Sequence, residues 1–371
     1  MYRLIGLALI FSVLLGGCGQ IVAAGSGTAP IDPQLVETAV AQLQAGAPSA
    51  TVLQGAFPTL LPTPAPSLTP TPTPHPMEIR AMRAGYYPGS DIVIERELEA
   101  GPNYHRYYAS YLSEGLKIYA LLTVPDGEIP AGGWPAIVFN HGYIPPGQYR
   151  TTERYLAYVD WLARSGYIVF RIDYRGHDRS EGVPLGAYND PGYMTDVLNA
   201  VSSLQRFPQT NSEKIGMWGH SMGGYLTLRA MVISDQIKAG VIWAGVVGSY
   251  PDMLYNWRRS SGDPAPTPRP DFRRWRENWV QTYGTPEQNP AFWNSISANS
   301  FLADLSGPVQ LHHGTADTDV PVEFSERLFE QILSAGGYVE LYLYEGDNHN
   351  ISNSFGTAMR RTIEFFDRYL K

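Results

Sequence analysis

The stretch Lys214-Ile215-Gly216-Met217-Trp218-Gly219-His220-Ser221-Met222-Gly223-Gly224 passes from an apolar strand into a helix through a turn rich in glycine. Residues 214–218 have strand composition, and residues 223–233 carry a helical pattern. Gly219-His220-Ser221-Met222-Gly223 between them is a G-x-S-x-G turn. A serine on such a sharp turn projects its hydroxyl away from the backbone, and the glycines make room for the neighbouring strand and helix. Ser221 is therefore the candidate nucleophile. The N–H of Met222, directly after it, is a candidate donor to an oxyanion.

Working outward, the same alternation of strand and helix recurs. Strands are expected at 92–98, 104–112, 116–124, 134–140, 167–172, 238–244, 308–312 and 338–344. Helices are expected at 152–164, 193–206, 322–335 and 354–370. Strands joined by crossover helices give a mostly parallel sheet with helices on both faces, and the three opening strands give it an antiparallel edge. Ligands on such sheets gather beyond the carboxyl ends of the strands. Two further candidates stand there. Asp317 follows strand 308–312 in His313-Gly314-Thr315-Ala316-Asp317-Thr318-Asp319-Val320-Pro321, with Asp319 as its rival. His349 follows strand 338–344 in Asp347-Asn348-His349.

Serine needs a neutral base to accept its proton, and that base needs a carboxylate to orient it. The chain order Ser221, Asp317, His349 is the order of α/β-hydrolases. The loop Asn140-His141-Gly142-Tyr143 after strand 134–140 offers the N–H of Tyr143 as a second oxyanion donor. Asp173-Tyr174-Arg175-Gly176 reads mainly as a structural brace of its loop.

From about residue 80 onward the chain resembles the catalytic domain of prolyl oligopeptidase-type serine peptidases, with their dipeptidyl-peptidase and acylaminoacyl-peptidase relatives. The resemblance rests on Trp218-Gly219-His220-Ser221, on His313-Gly314-Thr315-Ala316-Asp317 with Val320-Pro321, and on Asp347-Asn348-His349. It implies an α/β-hydrolase fold, no metal or other cofactor, and cleavage of amide or ester bonds through an acyl-enzyme. Two departures stand out. Family peptidases usually carry a large N-terminal β-propeller, whereas fewer than about sixty residues are expected here between the cleaved signal and the body. The family also often places a tyrosine near the position of Asn140. A serine peptidase acting on small peptides is the leading expectation. A carboxylesterase acting on small acyl or aryl esters is the alternative, and a catalytically silent binding lipoprotein is the third.

Between about 249 and 305 lies an insertion where such hydrolases carry a lid. Trp257, Trp275, Trp279 and Trp293 occur in it among Arg258, Arg259, Arg273, Arg274 and Arg276. Packed small helices with solvated arginines and a substrate-binding cap are equally open readings. Aromatic walls and guanidinium groups could recognise a carboxylate or an aromatic acyl group.

The N-terminal part is of another kind. Residues 1–17 read as a signal peptide, with Arg3 ahead of an apolar run from Leu4 to Leu15. Leu15-Gly16-Gly17-Cys18 resembles a bacterial lipobox, and Cys18 is the only cysteine. Because the only cysteine stands at that position, lipidation at Cys18 is preferred to a plain secretory signal. Its acyl chains would anchor the protein, each buried methylene contributing ~0.8 kcal/mol of membrane affinity. The product would sit in the cell envelope, outside the cytoplasmic membrane. Residues 18–77 are a stalk with eight prolines from Pro58 to Pro76; proline at that density favours extended polyproline II. The catalytic domain is expected at 78–371. A net charge of -8 argues against a nucleic-acid partner, and one cysteine rules out a disulfide framework. The expected partners are a small peptide or ester substrate and a membrane; the sequence does not fix an oligomeric state.

Overall fold

The computed structural model describes residues 73–257 and 270–371, so the signal peptide, Cys18 and most of the stalk lie outside the described residues. Nine strands form one sheet: β1 (Val93–Leu98), β2 (Tyr104–Ser113), β3 (Leu116–Pro125), β4 (Trp134–Asn140), β5 (Ile168–Ile172), β6 (Thr210–His220), β7 (Ala239–Trp243), β8 (Val309–Gly314) and β9 (Val339–Tyr344). Their spatial order is β1-β2-β3-β5-β4-β6-β7-β8-β9. From β1 to β5 the pairings are antiparallel, and from β5 through β4 to β9 they are parallel. This is the α/β-hydrolase arrangement with the antiparallel edge expected from the sequence.

The layers follow from the period of two along a strand. In β4, Ala136 and Val138 face one core while Ile137 and Phe139 face the other. The first core is closed by α3 (Gly192–Arg206), α4 (Met222–Ile233) and α8 (Glu323–Ser334), through residues such as Leu198, Leu226 and Leu328. The second is closed by α2 (Leu156–Arg164) and α9 (Phe355–Leu370), through Val159, Leu162, Phe365 and Phe366. Every residue of β5 and β7 is buried, which explains why β7 is an unbroken apolar run rather than an alternating one. Strand β5 is apolar except for the buried Arg171, whose guanidinium donates to the Thr151 carbonyl.

Helix α4 is buried from Met222 to Val232. It therefore encloses Arg229, whose guanidinium donates to the carbonyls of Met77 and Ile296. Before β1, Met77 and, in the short helix α1 (Ile79–Arg83), Ile79 are buried in the first core. Among the described residues, no helix is long and apolar enough to cross a membrane.

The insertion contains α5 (Tyr250–Tyr255), α6 (Pro270–Tyr283), α7 (Pro290–Ile296) and a 3-10 turn at Ala298–Asp304. Ser249 and Asp252 cap α5 reciprocally. Trp275, Trp279 and Trp293 are buried and join the first core, with Tyr250 stacked on Trp279 at 5.7 Å. Most of the aromatic material thus serves packing. The side chains of Arg258, Arg259, Arg273 and Arg274 lie outside the described residues.

Two elements differ from expectation. Helix α2 starts at Leu156 rather than at 152, because Tyr155 adopts a left-handed conformation with φ 59°. Strand β6 begins at Thr210, four residues early, and there Trp134 of β4 pairs with Thr210.

The elbow itself depends on close backbone approach. A Cβ on Gly223 would lie 2.0 Å from the carbonyl oxygen of Asn140, while one on Gly147 would meet nothing within 4 Å. Gly223→Ala should cost about 3 kcal/mol, since the crowding atom is backbone and cannot rotate away. Gly147→Ala should be close to neutral. Thermal unfolding of the two variants checks this, and equal melting temperatures would refute the clearance argument.

Candidate active site

Ser221 closes the turn between β6 and α4 with φ 56° and ψ -117°, a conformation that side chains other than glycine rarely adopt. Two backbone hydrogen bonds hold it there: Ser221 N–H donates to the Trp243 carbonyl and Val246 N–H to the Ser221 carbonyl, both at 3.0 Å. A Cβ on Gly219 would collide with the Gly223 carbonyl at 2.2 Å. The strain of about 1–3 kcal/mol expected for such a residue is met by this over-determined surround. Met222 is the first residue of α4, so its N–H has no acceptor within the helix.

The acid loop starts where β8 ends. The Asp317 side chain is fully buried, and its Oδ2 receives His349 Nδ1 at 2.7 Å and His313 Nε2 at 3.0 Å. Its Oδ1 accepts the N–H groups of Asp319 and Val320 at 2.7 and 3.0 Å. Burial alone would raise the carboxyl's pKa, but the hydrogen bonds from His313 and His349 outweigh it and hold the group well below the usual carboxylate range. Asp317 is thus the carboxylate that meets the histidine. Asp319 lies beside it, and its carbonyl accepts the indole N–H of Trp257 at 2.9 Å, which ties the insertion to this loop.

The histidine loop is shaped by Asp347, whose carboxylate accepts N–H groups from Asn348, Asn353 and Ser354. Burial opposes ionisation there too, and the three donors again lower the pKa. The two loops are seated on each other. Ala316 N–H donates to the Asp347 carbonyl at 2.9 Å, and a Cβ on Gly314 would strike that same carbonyl at 2.3 Å.

The elbow meets the histidine loop through the residue beside Ser221. His220, the residue before Ser221, contacts the His349 carbonyl through Nε2 at 2.9 Å. On the other side, the β4 loop reaches Ser221 closely enough that a Cβ on Gly142 would lie 3.2 Å from Ser221 Cβ. His141 shapes that loop and is fully buried. Its ring lies 4.3 Å from that of Tyr149 and 4.4 Å from that of Tyr174, its Nδ1–H donates to the Gly142 carbonyl at 2.7 Å, and burial pushes its pKa far down. Tyr143 follows, with its side chain part-exposed. Asn140, where the resembling family often has a tyrosine, is buried and donates to Thr227 Oγ1 at 3.1 Å.

The sequence reading passed over three residues. His313 sits inside the quoted acid motif yet had no role assigned; its contact with Asp317 was signalled only by its place in that motif. His220 and Tyr155 make their contacts through the tertiary fold and left no local signal. Arg175, by contrast, braces its loop as expected, with Nη2 pairing to buried Asp196 at 2.7 Å and to Glu114 at 2.9 Å. Asp317, Asp319 and His349 could present donor atoms within 4.8 Å of one another to a cation. Both oxygens of Asp317 already accept two hydrogen bonds each, an arrangement suited to orienting an imidazole.

The family model described as the prolyl oligopeptidase family matches residues 154–371. The uncharacterized peptidase YtmA of Bacillus subtilis is 26% identical over 267 residues, covering 70% of this chain and 92% of its own. The acylaminoacyl peptidase of Pyrococcus horikoshii superposes with a TM-score of 0.58 at 24% identity, covering 72% of this chain. Only 42% of that longer peptidase is matched. Acetyl xylan esterase from Paenibacillus sp. R4 superposes with a TM-score of 0.56 at 18% identity, covering 79% of this chain and 92% of its own. These two structural likenesses are likenesses of fold.

The depressed pKa of Asp317 sets a direction for stability. A carboxyl whose folded pKa lies below its unfolded value of ~3.9 contributes stability above that value and loses it as pH falls. Asp317→Asn should therefore melt below wild type at pH 7, with the gap narrowing as pH drops past ~4. Thermal melts from neutral to acid pH measure this; a gap that widens with acid would contradict the assignment.

Proposed function

The chain belongs to the prolyl oligopeptidase family of serine peptidases, and we propose that Ser221, His349 and Asp317 are its nucleophile, base and orienting acid in the cleavage of small peptides. The observation that carries this reading is the 2.7 Å hydrogen bond between His349 Nδ1 and the buried Asp317 carboxylate. With its Nδ1 proton held there, the imidazole presents the lone pair of Nε2 as the base. Ser221 Oγ attacks the scissile carbonyl while its proton passes to His349 Nε2. The same nitrogen then protonates the leaving amine, and water resolves the acyl-enzyme by the reverse sequence.

The oxyanion would be met by the N–H of Met222 and the N–H of Tyr143, each worth roughly 3–4 kcal/mol to the transition state. Gly142 cannot serve in place of Tyr143, since its own N–H is already donated to the Tyr155 hydroxyl at 3.0 Å. His313 shares Asp317 Oδ2 with His349, and its hydrogen bond restricts the carboxylate's rotation.

The esterase reading draws support from the near full-length likeness to the acetyl xylan esterase. An acyl-enzyme mechanism serves both bonds, so a substrate panel decides. Aminoacyl and dipeptidyl amides should be cleaved with higher kcat/KM, relative to their uncatalysed rates, than short acyl esters. The reverse ranking would make this a carboxylesterase. We also propose that Cys18 is lipidated and that residues 18–77 hold the catalytic body off a membrane surface, outside the cytoplasmic membrane. Support comes from the lipobox-like Leu15-Gly16-Gly17-Cys18 and the proline-rich stretch. Cys18→Ala should move the protein from the membrane fraction to the soluble one.

A fluorophosphonate probe tests the nucleophile directly. Labelling should disappear in Ser221→Ala, and a folded wild type that resists the probe would end the enzyme reading. Asp317→Asn should lower kcat by about 10⁴ with the fold retained, because the amide favours the wrong histidine tautomer. Asp319→Asn should cost far less. Assay of the two purified variants separates acid from bystander, and the assignment fails if their effects are exchanged.

A further inference from the structure

Four backbone and side-chain groups around the site are joined in one line. Gly142 N–H donates to the Tyr155 hydroxyl oxygen at 3.0 Å, Tyr155 Oη lies 2.7 Å from His220 Nδ1, and His220 Nε2 lies 2.9 Å from the His349 carbonyl oxygen. The direction of the line is determined. A carbonyl only accepts, so His220 Nε2 carries a proton. His220 is buried; burial first, then the nearby His349, pushes its pKa down to about 3. The ring is therefore neutral, its Nδ1 is a bare acceptor, and the Tyr155 hydroxyl is the donor. Burial also raises the Tyr155 pKa, which keeps that hydroxyl protonated.

The Tyr155 ring has packing partners in Phe139 and Tyr158, with centroids at 5.6 and 5.4 Å. Those contacts account for an aromatic ring. They account neither for the hydroxyl nor for the left-handed backbone that aims it, at φ 59° on a non-glycine residue. A Cβ on Gly142 would also lie 2.7 Å from Tyr155 Oη, so the glycine is needed to admit the phenol.

We propose that Tyr155 and His220 are positioning residues of the peptidase reaction. Their chain fixes the backbone of His349 to the loop at Gly142, so that the base and the oxyanion donors keep a set separation across Ser221. This rests on the assignment of Ser221 and His349 above. Without the chain, the histidine loop would be held to the β4 loop only indirectly, and a displacement of ~1 Å in such a site costs about 10²-fold in rate.

The test uses the full chain and a chromogenic peptide amide, after fluorophosphonate labelling of the wild type. A wild type that is not labelled removes the underlying assignment; a labelled wild type isolates the present proposal. Tyr155→Phe keeps the ring and removes the hydroxyl, and should lower kcat about 10- to 100-fold with KM changed by less than about twofold. His220→Asn retains an oxygen in the place of Nδ1 but loses the link to His349, and should fall as far. The double variant should be no worse than the weaker single one, since the chain is cut once in each case. Folded Tyr155→Phe with wild-type kcat overturns the proposal, as do losses that multiply in the double variant. Should Tyr155→Phe fail to fold, His220→Asn and the nitrogen NMR spectrum of wild-type His220 decide the matter. His220 Nδ1 must be the unprotonated nitrogen at neutral pH, and a protonated Nδ1 refutes the chain.

Discussion

Between the end of β4 and the first turn of α4 two backbones come almost into contact, at Asn140 and Gly223. Much of the molecule is arranged around that approach. It can exist only because glycine stands on the helix side, and it presses the nucleophile turn against the strand beside it. The sheet order β5-β4-β6 reverses at this place, so the crevice beyond the strand ends opens where the two backbones meet. The strained geometry of Ser221 lies two residues before that contact, held by a hydrogen bond donated to β7 and one accepted from Val246.

The electrostatics are organised by burial as much as by charge. His141, His220 and His312 are all held neutral because desolvation penalises their cationic forms. His312 illustrates the structural use of such a ring, bonded to Tyr344 at 2.8 Å and to Gln310 at 2.7 Å. Negative charge is concentrated on Asp317, where four donors surround the carboxylate. A proton arriving on His349 thus meets one well-defined anion, with the neutral imidazole of His220 close by on the elbow, ring centroids 4.6 Å apart.

Strand positions, the elbow and the order of the three chemical residues were legible in the sequence because each has a local signature. Unbroken apolar runs such as Val241–Trp243 report burial on both faces, and glycine spacing reports the elbow. Asp317 was separable from Asp319 by motif resemblance, and the hydrogen-bond geometry agrees with that choice. What stayed hidden depends on groups far apart in the chain. Tyr155 looks like an ordinary helix residue until Gly142 and His220 are folded against it, so the start of α2 was misplaced. The early start of β6 depends on Trp134 pairing with Thr210, across more than seventy residues of chain. The insertion's tryptophans were ambiguous for a similar reason, since residue type does not tell a packed indole from an indole that faces a substrate.

The last strand, β9, is an edge strand, and it carries the histidine loop on its end. The serine elbow lies far upstream, enclosed by strands that can pair before β9 exists. A growing or truncated chain that stops before Val339 therefore contains the serine turn and Asp317 but lacks His349. With the proposed triad, hydrolytic capacity would be completed only when the last strand and its loop are in place on the sheet.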